Sequence, residues 1–100
     1  MNNRLIHKIT SFLKQESIEK AWIFGSFSRG EETHHSDIDL MIRFSGDKKI
    51  TLFYYIRLKN ELERITGKHI DLVEEGQLKE FAVPEFEKEK ILIYEKKNSR

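Results

Sequence analysis

Between Ala21 and Phe44 the chain passes from one apolar stretch, through Gly25-Ser26 and a polar, basic-tipped loop, into a second apolar stretch that opens on Asp37-Ile38-Asp39-Leu40. Both stretches read as strands, and the short connection must hold them close together. Side chains alternate between the two faces of a strand, so Ile38, Leu40, Ile42 and Phe44 point one way and Asp37 and Asp39 the other. At the end of the first strand, the small residues Gly25 and Ser26 let a phosphate approach backbone N–H groups where a helix begins. Two carboxylates therefore project side by side next to a Gly-Ser turn.

Such a pair is costly without a cation. Two unit charges 4 Å apart repel by about 4 kcal/mol at an effective dielectric near 20, so a fold that clusters them either raises one pKa or binds a divalent ion. Hard oxygen ligands with open positions suit Mg²⁺ or Mn²⁺, which keep some waters and take further ligands from substrate phosphates. A third carboxylate is available in His69-Ile70-Asp71-Leu72-Val73, a half-buried strand pattern with Asp71 on the face opposite Ile70 and Leu72. If that strand lies beside the Asp37 strand, the three acids converge.

The rest of the chain reads as scaffold. Leu5, Ile6, Ile9, Phe12 and Leu13 recur at helical spacing and predict an amphipathic helix over residues 3–16. A second helix over 50–66 carries Tyr55, Leu58, Leu62 and Ile65 on one stripe, with Thr51 or Asp47 as N-cap and Gly67 as the stop, and makes the crossover between the two acid strands. Pro84 fits the first turn of a short helix ending near Lys90, Ile91 to Tyr94 fit a closing strand or docking segment, and Glu95 to Arg100 read as a frayed tail. Helices alternating with strands predict an α/β sandwich on a small sheet. Leu52-Phe53-Tyr54-Tyr55-Ile56 is more apolar than one helical stripe buries, so it serves either a wider core contact or a partner surface. Leu52, Phe53, Tyr54, Ile91 and Tyr94 are the residues expected at such a rim.

A chain of 100 residues, 38% of them hydrophobic, is expected to form one domain around a single modest core. A net charge of +1 lacks the basic excess of a dedicated nucleic-acid binder, so no direct nucleic-acid binding is expected. Zero cysteines exclude a disulfide framework and zinc-thiolate sites. Nothing at the N-terminus reads as a signal peptide or spanning segment, which makes the cytoplasm the default compartment.

Gly25-Ser26, ten intervening residues, then Asp37-Ile38-Asp39-Leu40, with Asp71 on a later strand, resembles the nucleotidyltransferase superfamily of DNA polymerase beta. The fuller string GSFSRGEETHHSDIDL resembles its minimal nucleotidyltransferase branch, the antitoxin partners of HEPN-domain toxins, with Ser28 where the branch often has alanine. The resemblance implies a palm-like α+β fold with a mixed strand order. It also implies that Asp37, Asp39 and Asp71 hold two Mg²⁺ ions, that Gly25 and Ser26 seat the β and γ phosphates of ATP, and that AMP passes to a tyrosine of a HEPN ribonuclease toxin. Arg29, the nearest cation, either joins the phosphate site or pairs with Glu31 or Glu32. Larger members of the superfamily add a helical domain that walls the acceptor pocket. Only about thirty residues follow Asp71, so another molecule is expected to complete that pocket. Two other functions are compatible with the same residues: nucleotidylation of a small hydroxylated compound such as an aminoglycoside, and neutralisation of a partner by binding alone.

Other motif readings fail on particular residues. Gly25 to Gly30 begins like a phosphate-binding P-loop, but Glu31-Glu32 stand where Lys and Ser or Thr would be needed. Arg29 and His34 have the Arg-x4-His spacing of HEPN ribonucleases, yet they lie in a loop between strands rather than on a helix. His34-His35 beside Asp37 falls short of the three or four spaced ligands of a zinc site.

Overall fold

The computed structural model describes residues 2–46 and 49–97. Four strands, β1 (Ile18–Phe24), β2 (Ile38–Phe44), β3 (Ile70–Glu74) and β4 (Ile91–Glu95), form one mixed sheet in the order β3-β2-β1-β4. β1 runs antiparallel to both β2 and β4, whereas β2 and β3 are parallel. Parallel neighbours need a crossover connection, and α3 (Leu52–Thr66) supplies it. The remaining helices are α1 (Asn3–Leu13), the single turn α2 (Ser26–Arg29) and α4 (Val83–Glu89), which follows a 3₁₀ turn at Glu80–Ala82.

Alternation along the strands divides the sheet into two unlike faces. On one, Ala21 and Ile23 of β1, Ile38, Leu40 and Ile42 of β2, and Ile70 and Leu72 of β3 are buried against Leu5, Ile9 and Leu13 of α1 and Leu58 and Leu62 of α3. Each fully buried Leu or Ile contributes about 2 kcal/mol by removal from water, so this face holds the molecule together. The other face carries Trp22 and Met41 under Phe86 of α4, with Phe24, Val73 and Leu78 around them. The acids lie on this second, thinly covered face.

Local chemistry sets the helix ends. The Asn2 side chain accepts from the Leu5 N–H at 3.1 Å and Thr51 accepts from the Tyr54 N–H at 3.1 Å, each an N-cap. Gly67, at φ 68°, closes α3 in the left-handed conformation that suits glycine. Asp47, the other expected cap, lies outside the described residues. Helix α1 stops at Leu13 rather than near residue 16. There the chain turns so that the Ser17 N–H donates to the Tyr54 hydroxyl at 2.9 Å, and β1 starts at Ile18, three residues earlier than the apolar run alone predicts.

Two expectations about the C-terminal part and α3 change. Glu95 belongs to β4, opposite Lys20 with a 3.4 Å ion pair, and the Lys96 N–H donates to the Glu19 carbonyl, so ordered structure continues into the stretch expected to fray. Residues 98–100 lie outside the description. In α3, Leu52 and Phe53 are exposed, at 71% and 86%, with Ile56 beside them. Tyr54 instead turns inward, because its hydroxyl bridges the Ser17 N–H and the Glu16 carboxylate and its ring meets Phe44. Ile91 and Tyr94 pack at the margin of the main core.

Candidate functional site

Parallel pairing of β2 with β3 places Asp39 directly opposite Asp71. Same-row residues on neighbouring strands share a face, so their carboxyl groups meet and hydrogen-bond. Asp37 sits one residue before β2, at the point where the Ile38 N–H donates to the His69 carbonyl at 2.9 Å. All three acids line one open cavity of about 430 Å³ together with Gly25, Ser26, Arg29 and, from the α4 side, Ala82, Glu85, Phe86 and Glu89. The convergence that depended on β3 lying beside β2 is therefore observed.

The electrostatics follow from the crowding. Burial, then the hydrogen bond and charge of Asp71 and the charge of Asp37, push the Asp39 carboxyl up to about 6, with Arg29 opposing weakly. Without a cation, the crowding makes Asp39 hold its proton up to about pH 6 and leaves it ionised against its neighbours above that. Asp37 and Asp71 are each 51% exposed at the side chain, which leaves them open to solvent and to ligands.

Gly25 is required by this packing. At φ 75° it occupies a backbone region that side chains rarely adopt, and a Cβ there would collide with the Asp39 carboxylate. Its place in the chain makes it the N-cap of α2, so Ser26 is the first helical residue and not the cap. The Ser28 hydroxyl donates to the Gly25 carbonyl at 2.8 Å and holds the turn.

A larger open groove of about 830 Å³ runs between α1 and α3, lined by residues such as Phe12, Arg57 and Ile65. It lies on the far side of the sheet from the acids. The chemistry-bearing groups converge in the smaller cavity, and that decides between the two.

The sequence model of the family described as polymerase beta, nucleotidyltransferase matches residues 7–99. The chain belongs to the polymerase beta nucleotidyltransferase family. A Methanocaldococcus jannaschii protein, provisionally named a protein adenylyltransferase, is 38% identical over 71 residues, spanning 71% of this chain and 74% of its own. The solved structure of a provisionally assigned minimal nucleotidyltransferase is 30% identical, with a TM-score of 0.70, and covers 86% of each chain. A Shewanella oneidensis complex, described as a tri-AMPylated HEPN toxin with its MNT antitoxin, has a TM-score of 0.70 at 16% identity, covering 96% of this chain and 74% of that one, and so shares the fold.

Within this nucleotidyltransferase fold, two residues that sequence reasoning left without a role stand at the site. The first is His69, whose Nδ1 lies 3.4 Å from Asp37 Oδ2 and 3.7 Å from Asp71 Oδ1, with Nε2 3.8 Å from Glu63. Asp37, His69 and Asp71 offer ligand atoms within 4.8 Å of one another. The two-residue spacing of His69 from Asp71 was a usable signal, since i and i+2 share a strand face. The second is Glu89, whose carboxylate accepts from the Gly25 N–H at 3.3 Å and from Arg29 Nη1 at 2.5 Å. No local pattern marks it out from its neighbours in Glu87-Lys88-Glu89-Lys90.

Arg29 also pairs with Glu31 at 2.7 Å. Hydrogen bonds to Glu31 first and Glu89 next raise its pKa further, so it is a permanent cation. Of the two acids expected to compete for it, Glu31 does so. His34 and His35 stand apart from the metal-competent group. Among the described residues, no helix is long and apolar enough to cross a membrane.

Proposed function

We propose that this protein is a Mg²⁺-dependent protein adenylyltransferase that passes AMP from ATP to a tyrosine of a HEPN-type ribonuclease toxin and thereby acts as its antitoxin. The observation that carries this reading is the meeting of Asp39 with Asp71 beside Asp37 and the Gly25 turn. Support for the acceptor and the partner comes from the adenylyltransferase relative and from the toxin–antitoxin complex that shares the fold.

The donor set fits divalent cations. It is made of oxygen ligands, two of them half-exposed, and its one shielded member holds a proton to about pH 6, which a cation would displace. Bound there, Mg²⁺ would neutralise phosphate charge and make an acceptor hydroxyl easier to ionise. Asp37, Asp39 and Asp71 would hold the ions, and Asp71 would also take the acceptor proton. The Gly25 backbone and the Ser26 hydroxyl hold the β and γ phosphates so that pyrophosphate leaves in line with the attacking oxygen. Arg29 contributes a fixed positive charge at the same rim.

The test is transfer of label from α-³²P-ATP with Mg²⁺ to the product of the neighbouring gene. Label on a tyrosine of that protein, lost in the Asp37→Ala, Asp39→Ala double variant, is the expected result. Retained transfer in the double variant would sink the mechanism. Transfer only to a small hydroxylated compound would refute the acceptor, and neutralisation of the toxin without label would leave binding alone.

A further inference from the structure

The carboxylate of Glu89 occupies two donors that a phosphate tail would need. It reaches the site from the last residue of α4, 64 residues along the chain from Gly25 and 60 from Arg29, and its side chain is only 14% exposed. One oxygen takes the Gly25 N–H and the other takes the Arg29 guanidinium. A carboxylate bound through both oxygens to a backbone amide and an arginine has the charge and the two-pronged geometry of a phosphate edge. Phe86, three residues earlier, is buried against Trp22 and Met41 and makes an edge contact with Phe24 at 5.1 Å, so α4 is anchored with Glu89 aimed at the turn.

We propose that Glu89 is an internal competitor for the phosphate seat, a residue that sets the affinity threshold for nucleotide. This rests on the assignment of Gly25 and Arg29 to phosphate binding. An anion enters the seat only by displacing Glu89, which lowers every such affinity by the fraction of molecules whose seat is free. Orthophosphate and other weak anions then fall below useful affinity, whereas a metal-bound triphosphate has the acid triad to compensate. Glu85 is the natural control. It lines the same cavity and bears the same charge, but no hydrogen bond joins it to Gly25 or Arg29.

The experiment is calorimetry of the full chain against inorganic tripolyphosphate with Mg²⁺. It compares the parent with Glu89→Gln, Glu89→Ala, Glu85→Gln, Arg29→Gln, Glu89→Gln combined with Arg29→Gln, Asp37→Ala and Asp39→Ala, with thermal melts to establish folding. Glu89→Gln keeps the side-chain shape while removing the charge, and Glu89→Ala empties the seat. Both should tighten binding roughly tenfold, about 1.4 kcal/mol, and Glu85→Gln should change it by less than about twofold. In the Arg29→Gln background the Glu89→Gln gain should shrink, because the pair that held the competitor is gone. Equal or weaker binding in both Glu89 variants, or an equal gain in Glu85→Gln, would overturn the proposal. If the parent binds tripolyphosphate in a way that Asp37→Ala and Asp39→Ala abolish while the Glu89 variants match it, only the competitor fails. If neither the parent nor the Glu89 variants bind, the phosphate site itself is refuted.

Discussion

Replacing Asp39 by Asn should stabilise the metal-free protein at neutral pH, the reverse of what removing a functional side chain usually does. The folded-state pKa of Asp39 is raised from 3.8 to about 6. A raised pKa means that this group's favourable contribution is complete below about pH 4 and is lost as pH rises through 6. At pH 7.5 the ionised group therefore opposes folding, by at most about 3 kcal/mol at 1.36 kcal/mol per pKa unit. Asp39 is only half-buried and faces an open cavity, so screening reduces this to about 1 kcal/mol. Asn has the same shape and can donate to Asp71 as the protonated acid does. For a domain of this size, 1 kcal/mol corresponds to a rise in melting temperature of about 5 °C. Melts in a chelator at pH 7.5 should show that rise, and melts at pH 4.5 should show about a third of it. Adding Mg²⁺ with tripolyphosphate should stabilise the parent more than the variant, since Asn is a poorer ligand. Equal melting at both pH values, or an Asn variant less stable at pH 7.5, would refute the account of crowded charge.

Gly25→Ala should cost at least about 2 kcal/mol in urea unfolding, because the new methyl meets the Asp39 carboxylate at a backbone angle that L-residues avoid, and it should also abolish tripolyphosphate binding. Tyr54→Phe should cost about 1–2 kcal/mol, since the Ser17 N–H loses its acceptor, and calorimetry against ATP should show no change. By contrast, Phe53→Ala should leave the melt of the isolated domain within about 0.5 kcal/mol of the parent, its ring being 86% exposed. The same variant should weaken capture of the HEPN-type partner by about 2 kcal/mol in a pull-down titration, as for an aromatic anchor; unchanged capture would move the partner surface away from Leu52, Phe53 and Ile56.

The behaviour of Tyr54 and Phe53 shows where sequence reading stopped. Both belong to one apolar run at the start of α3, and composition treats them alike. Which one turns inward depends on Ser17 and Glu16, from the turn after α1, standing where a hydroxyl can bridge them. The same limit applies at the N-terminal helix. The helix expected over residues 3–16 ends at Leu13, its last apolar residue, and a turn through Gln15 and Glu16 carries the chain into β1.

What the sequence by itself determined is whatever a strand or helix settles within its own few residues. Alternation put Asp37 and Asp39 on the face opposite Ile38, Leu40 and Ile42, the glycine before Ser26 supplied a turn without a Cβ, and the stripe through Leu58 and Leu62 made α3 a core-facing crossover. These follow from local geometry, with periods of 2 and 3.6, and no distant residue can reverse them cheaply. The tertiary structure alone decided the order β3-β2-β1-β4, the pairing that sets Asp39 against Asp71, and the reach of Glu89 to the Gly25 turn. Each depends on which strands lie side by side once both faces of the sheet are covered. That is settled by burial summed over the whole chain and by the paths its connections allow, not by any segment's own pattern.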